Sequence, residues 1–209
     1  MLIHKGRNLM VLTHVDDIPI AAPRLDDVLW FKKELGKVFK IKDLGEPTKI
    51  LGMKLTRDRS NGTLKLDQEH YIQENLAKSG MTKETAHPTL SPLDNYESLR
   101  KSDSSEERCD KTEYQSQNGT WMWPMTMTRP DIAFALGRLG SYASDPSKRH
   151  LKALRKLARY LRSFPNLGLM FRRGGGKLIG YSDSDYAMDK ADRVSILGSI
   201  FFLCGTPVS

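Results

Sequence analysis

Apolar residues recur along this chain with two different periods, and the period assigns the elements. Leu9 to Leu12 is a short apolar run and Ile18 to Ala22 another, with Thr13, His14, Val15, Asp16 and Asp17 between them. Two strands joined by an acidic turn account for that arrangement. Pro23 stops the second strand. Leu25, Val28, Phe31, Leu35, Val38 and Phe39 then recur at helical spacing, with Asp26 and Asp27 where the positive end of a helix favours acids, so the pattern predicts an amphipathic helix over 24–39. Leu51, Met53 and Leu55 alternate, Asn61-Gly62 is a strong turn signal, and Leu64 and Leu66 alternate beyond it, which predicts a second hairpin. Asp67 can cap a following helix whose stripe is Tyr71, Ile72 and Leu76 and whose stop is Gly80.

From Thr82 to Glu113 apolar residues thin out around Pro88, Pro92 and the run Ser102-Asp103-Ser104-Ser105-Glu106-Glu107-Arg108, so residues 82–113 are expected to be an exposed linker, partly disordered. Trp121, Trp123 and Tyr71 are expected as core anchors. Pro130 sits at a first helical position ahead of Ile132, Leu136 and Leu139, and Asp145-Pro146 opens another helix, 146–163. Its apolar face is Leu151, Leu154, Leu157, Ala158 and Leu161. Lys148, Lys152, Arg155, Arg159 and Arg162 form a separate stripe that no acid interrupts. Strands are expected at 167–172, 177–182 and 199–203, with Gly174-Gly175-Gly176 turning the chain between the first two.

Charge sharpens this picture. Thirty-three Lys and Arg against 25 Asp and Glu give a formal charge of +8, which leans towards a polyanionic partner. The two cysteines, Cys109 and Cys204, have no second Cys or His at ligand spacing, which argues against a disulfide framework or a zinc site. No apolar run approaches the roughly 18–20 residues that span a bilayer, and no secretory leader is evident, so an intracellular protein, cytoplasmic or nuclear, is expected.

Three clusters could carry chemistry. Asp16 and Asp17, adjacent in a tight turn, repel one another unless a cation neutralises them. An oxygen donor set suits Mg²⁺ or Mn²⁺, while a solvated turn is the simpler alternative. The stripe on 146–163 is either a solvated face or a contact surface for phosphates. Asp183 and Asp185 stand two apart after an apolar strand and so share a face, as half of a metal site or as a polar strand end. His4, His70, His87 and His150 lack ligand spacing and are expected on the surface.

Thr13-His14-Val15-Asp16-Asp17-Ile18 resembles the Tyr-x-Asp-Asp hairpin of reverse transcriptases. Its surroundings resemble the Pol polyproteins of copia-type long-terminal-repeat retrotransposons: Lys42-Asp43-Leu44-Gly45, Ile50-Leu51-Gly52-Met53, Gln68-Glu69-His70-Tyr71-Ile72, Tyr114-Gln115-Ser116, Thr128-Arg129-Pro130-Asp131-Ile132-Ala133, Arg159-Tyr160-Leu161 and Gly180-Tyr181-Ser182-Asp183-Ser184-Asp185. The likeness extends over nearly all of residues 9–208. His14 replaces the usual Tyr, Trp123 stands where a smaller aromatic is usual, and Val194-Ser195-Ile196-Leu197 lies where a Ser/Thr-rich segment is common.

The resemblance implies an α+β fold: a partial palm and thumb-like part over 1–81, the linker 82–113, a helical connection over 114–166, and a truncated ribonuclease H-like sheet over 167–209. It implies RNA-directed DNA polymerisation with Mg²⁺ or Mn²⁺ held by Asp16 and Asp17, and Asp183 as the first ribonuclease H carboxylate. Further acids of both sites are expected before Met1 and after Ser209, so the chain alone is expected not to extend a primer. His14 would lie near the primer strand. The stripe Lys148, Lys152, Arg155, Arg159 and Arg162 would border a duplex, with RNA template, DNA and RNA–DNA hybrid as partners and no membrane. A non-catalytic nucleic-acid-binding remnant is the alternative. Self-association is expected through an uncovered hairpin edge.

Overall fold

The computed structural model describes residues 2–80, 87–174, 176–185 and 195–208, which divide into two compact units, 1–48 and 49–209. In the first, β1 (Leu2–His4), β2 (Leu9–Val11) and β3 (Ile20–Ala21) form an antiparallel sheet in that order, followed by α1 (Leu25–Gly36). The expected hairpin is β2–β3. β1 is an addition that the sequence pattern did not signal: it pairs Leu2 with Val11 and covers the other side of β2. The hairpin edge expected to be bare is therefore occupied on the β2 side. α1 stops at Gly36, leaving Val38 and Phe39 exposed beyond it. Leu9 and Val11 are the buried apolar residues of this unit among those described, and the main cross-tie is charged. Arg7 donates to the buried carboxylate of Asp27 at 2.8 Å while its guanidinium lies 4.3 Å from the Trp30 ring centre.

The second unit opens with β4 (Lys49–Ile50) and β5 (Met53–Asp58), whose pairing puts Leu51-Gly52 at the tip of a two-residue turn with φ of 48° and 76°. Positive φ at both central residues matches the right-handed twist of a hairpin, and Gly52 adopts it without steric cost. Leu51, expected in the strand, is thus a turn residue. β6 (Thr63–Asp67) completes the expected second hairpin, and α2 (Glu69–Lys78) follows. β7 (Gly168–Arg172) pairs antiparallel with β6 from Thr63·Arg172 to Asp67·Gly168. The strand expected to open a separate C-terminal sheet is instead the edge of a β4-β5-β6-β7 sheet. β8 (Leu178–Asp185), β9 (Ile196–Leu203) and β10 (Thr206–Pro207) form their own antiparallel sheet, with longer strands than the sequence predicted.

The helical core of this unit is built from α2, α3 (Lys111–Met127), α4 (Ala133–Gly140) and α5 (Lys148–Ser163). The resemblance implied a helical connection over 114–166, but periodicity alone did not mark α3, because exposed Met122 and Trp123 sit beside its buried residues and Pro124 lies inside it. Its start is nevertheless marked, since the Asp110 carboxylate accepts the Glu113 amide at 2.6 Å. Ile72, Trp121, Leu136, Leu139, Leu154, Leu157 and Leu161 are buried together. At about 1.5–3 kcal/mol for each large apolar side chain removed from water, this cluster is the main source of the unit's stability. Trp123, expected as an anchor, is 39% exposed.

The family motifs turn out to be brackets between these elements. Thr128 donates to Gln68 at 2.8 Å in the interior, and the Tyr71 hydroxyl reaches the Thr120 carbonyl. The Tyr114 hydroxyl reaches the Leu139 carbonyl. Buried Arg129 grips Asp131 through two nitrogens and donates to the Phe164 carbonyl, and the Tyr160 hydroxyl donates to the same Asp131 carboxylate. Burial would raise the Asp131 pKa, but the hydrogen bonds and charge of Arg129 outweigh it, and the carboxyl is held below its ordinary value.

Residues 87–110, expected as a free linker, form a strap fastened across α4 and α5. Residues 81–86 lie outside the described ones. Leu99 enters the core, its carbonyl accepts from Tyr142, and the Arg100 carbonyl meets His150 at 3.0 Å. The Lys148 amide donates to the Glu107 carbonyl and the Cys109 amide to the Pro146 carbonyl. The strap has little regular structure because its polar backbone is satisfied by the helices it crosses. His150, expected on the surface, is fully buried. It stacks on Tyr142 at 4.2 Å and caps α5 by accepting the Ser147 amide. Among the described residues no helix is long and apolar enough to cross a membrane.

Candidate functional site

The N-terminal carboxylates sit on the β2–β3 tip. His14 and Asp17 exchange backbone hydrogen bonds of 2.9 Å each way, which closes a two-residue turn on Val15-Asp16. Val15 has φ of 52° and is 88% exposed. A β-branched residue with positive φ is a steric outlier, and this one gains no packing in return. The turn presents His14, Asp16 and Asp17 to solvent side by side. Adjacent, exposed carboxylates are hard oxygen donors and fit a Mg²⁺ or Mn²⁺ ion that completes its shell with water and substrate phosphate. Among the described residues no group of three or more His, Cys, Asp or Glu side chains is close enough to hold a metal.

Asp183 lies in the middle of β8 opposite Gly198 and is exposed, with its carboxylate accepting the Ser184 amide at 2.9 Å. It borders a shallow depression with Ser182, Ser184, Leu197 and Ser199. The backbone of Asp185 pairs with Ile196, and its side chain falls outside the described ones.

The basic stripe forms the most developed site. Lys148, Lys152, Arg155 and Arg159 line one groove of about 830 Å³, bounded opposite by Arg108, Cys109, Asp110, Glu113 and Gln117 and at one end by Ser79 and Gly80 of α2. Arg162, the fifth predicted residue, is half-buried and does not line it. α5 builds this surface because its leucines face the core while the cations, three or four residues apart, stay on one exposed side. Burial pushes the Cys109 thiol up, so the groove wall holds a neutral thiol and not a nucleophilic thiolate.

The absence of acids within α5 does not mean absence of counter-charge. Glu107 meets Lys148 at 2.5 Å, Glu106 meets Arg149 at 2.9 Å, Glu113 meets Arg155 at 3.7 Å, and Asp94 meets Lys156. These acids come from the strap and α3, so sequence spacing along the helix could not reveal them. Their one signal was the excess of acids in the segment taken for a linker. Lys152 and Arg159 pair with no carboxylate among the described residues, and the Arg159 Nε is buried without a hydrogen-bond partner.

Comparison with known proteins agrees with the motifs. Residues 2–93 match the family described as reverse transcriptase (RNA-dependent DNA polymerase). The Retrovirus-related Pol polyprotein from transposon TNT 1-94 of Nicotiana tabacum is 35% identical over 206 residues, covering 96% of this chain and 15% of that protein. The corresponding polyprotein from transposon RE1 of Arabidopsis thaliana is 34% identical over 212 residues, covering the whole chain and 14% of its own length. A protein of Plasmopara viticola named Secreted RxLR effector protein 161 is 47% identical over 97 residues, 46% of this chain and 68% of its own. The chain thus spans only a small part of the polyproteins it matches, and no solved structure matches it. The chain belongs to the reverse transcriptase family and corresponds to a part of the Pol polyproteins of copia-type retrotransposons.

Proposed function

We propose that this chain contributes the hairpin carboxylates of an RNA-directed DNA polymerase site and a basic groove that guides the nucleic-acid duplex. Asp16 and Asp17 are the residues that would hold Mg²⁺ or Mn²⁺. Such an ion, when bound, activates the attacking hydroxyl and stabilises charge on the phosphates. His14, in the same turn, would touch a primer strand. In this reading residues 1–80 with β7 would be the palm and thumb-like part, α3 to α5 the connection, and β8 to β10 the start of a ribonuclease H-like sheet with Asp183 as its first carboxylate. Partners are an RNA template, DNA and their hybrid, in an intracellular compartment. Self-association through the N-terminal sheet would use β1 or the two-residue β3, since β2 is covered on both sides.

One observation carries this reading: the groove cations Lys152 and Arg159 lie on one face of α5 and pair with no carboxylate among the described residues. Phosphate contact releases condensed counterions, so log affinity falls linearly with log salt by about 0.9 per phosphate, whatever the sequence. Fluorescence anisotropy on an RNA–DNA hybrid across a salt series should give a slope of about −2, and Lys152→Gln with Arg159→Gln should bring it close to zero. A slope unaffected by that pair would leave α5 a solvated face.

A further inference from the structure

We infer that Glu107 and Glu113 are resident competitors for phosphate: they occupy half of the groove's α5 cations and so set how tightly the duplex is held. This rests on the reading of the groove as a nucleic-acid interface and adds its regulation. Four cations of α5 line the groove, and they alternate in state along the helix. Lys148 is taken by Glu107 and Arg155 by Glu113, while Lys152 and Arg159 pair with no carboxylate among the described residues. The two acids arrive from different elements, one from the strap and one from the first turn of α3, yet each meets a cation on the same face of α5.

Both pairs are built to yield. The side chains of Glu107 and Lys148 are 70% and 62% exposed, and those of Glu113 and Arg155 are 47% and 55% exposed. Exposed ion pairs of this kind are individually weak, so a phosphate can compete with either carboxylate. By contrast Glu106, which pairs with Arg149 on the neighbouring face, is only 18% exposed and fastens the strap. A duplex entering the groove therefore meets two cations at once and two more only by expelling an acid. Such a surface grips loosely and without regard to sequence, which suits a duplex that must advance one step per nucleotide added.

The test uses the full chain, an RNA–DNA hybrid and anisotropy across a salt series, comparing wild type with the double variant Glu107→Gln, Glu113→Gln. The variant should bind at least about fivefold tighter at low salt, and its slope should steepen by about two, towards −4. A second double variant, Glu34→Gln with Glu74→Gln, removes two acids that pair with Lys37 and Lys78 outside the groove lining and controls for net charge. Equal gains in both variants, or no gain from the groove variant while wild type still binds, would overturn the inference and leave the groove reading intact. Loss of any salt-dependent binding by wild type would overturn the groove reading itself, and the inference with it. Circular dichroism checks the fold, and because both glutamates are surface residues each single variant can carry the comparison.

Discussion

At the scale of single residues, the polar side chains that matter most for the fold are buried and satisfied. Arg129 is the clearest case. Its guanidinium is removed from water entirely, and it persists because Asp131 and the Phe164 carbonyl take its hydrogen bonds. His150 is the other case, and it makes stability depend on pH. Burial lowers its pKa below the ordinary value, with Arg149 acting in the same direction, while the Arg100 carbonyl, Glu106 and Asp145 oppose it. The ring must stay neutral to accept the Ser147 amide on Nδ1 while Nε2–H donates to the Arg100 carbonyl. A group with a depressed folded-state pKa contributes stability that is fully present above its unfolded value, about 6.5 for His, and is lost as pH falls through the folded value. Urea unfolding should therefore show stability declining below about pH 6.5. His150→Gln, which keeps a capping side chain, should flatten that decline. An unchanged pH profile in the variant would assign the decline to other groups.

At the scale of elements, the sequence was legible wherever a regular period met one partner surface. α5 was readable almost to the residue because its leucines and its cations both keep helical spacing. α3 was not, because its buried stripe Tyr114, Asn118, Trp121 and Pro124 mixes polar and apolar residues while Met122 and Trp123 lie exposed beside it. The strap was misread for the opposite reason. Its order comes from contacts 40 to 50 residues away in the chain, such as Arg100 with His150, which no local pattern encodes. Asp16 and Asp17 stood out only as a motif. Physical reading of two adjacent acids favours a solvated turn, and what the structure adds is the backbone of the tip. Val15 holds a positive φ with its side chain in solvent, so Val15→Asn, which tolerates that conformation and loses no packing, should stabilise the protein by about 0.5–1 kcal/mol. Thermal unfolding is the readout, and a lower melting temperature would show that the tip is not strained.

At the scale of the whole molecule, stability and charge are unevenly distributed. The unit 49–209 holds the large apolar cluster and the brackets formed by the family motifs, whereas the unit 1–48 buries few apolar side chains and leans on the Arg7–Asp27 ion pair. The formal charge of +8 suggested a polyanionic partner but could not say where. Folding pairs Lys148, Arg149, Arg155 and Lys156 of α5 with carboxylates and leaves Lys152 and Arg159 without one among the described residues, on either side of Arg155 along one stretch of groove. The central claim is that nucleic acid binds at that stretch, and acetylation footprinting of lysines with and without a saturating RNA–DNA hybrid tests it most directly. At low salt the hybrid should protect Lys152 strongly and Lys148 less, leave Lys37 and Lys78 unchanged, and lose its effect as salt rises. Acetylation of Lys152 at the same rate in the presence and absence of hybrid would contradict the account.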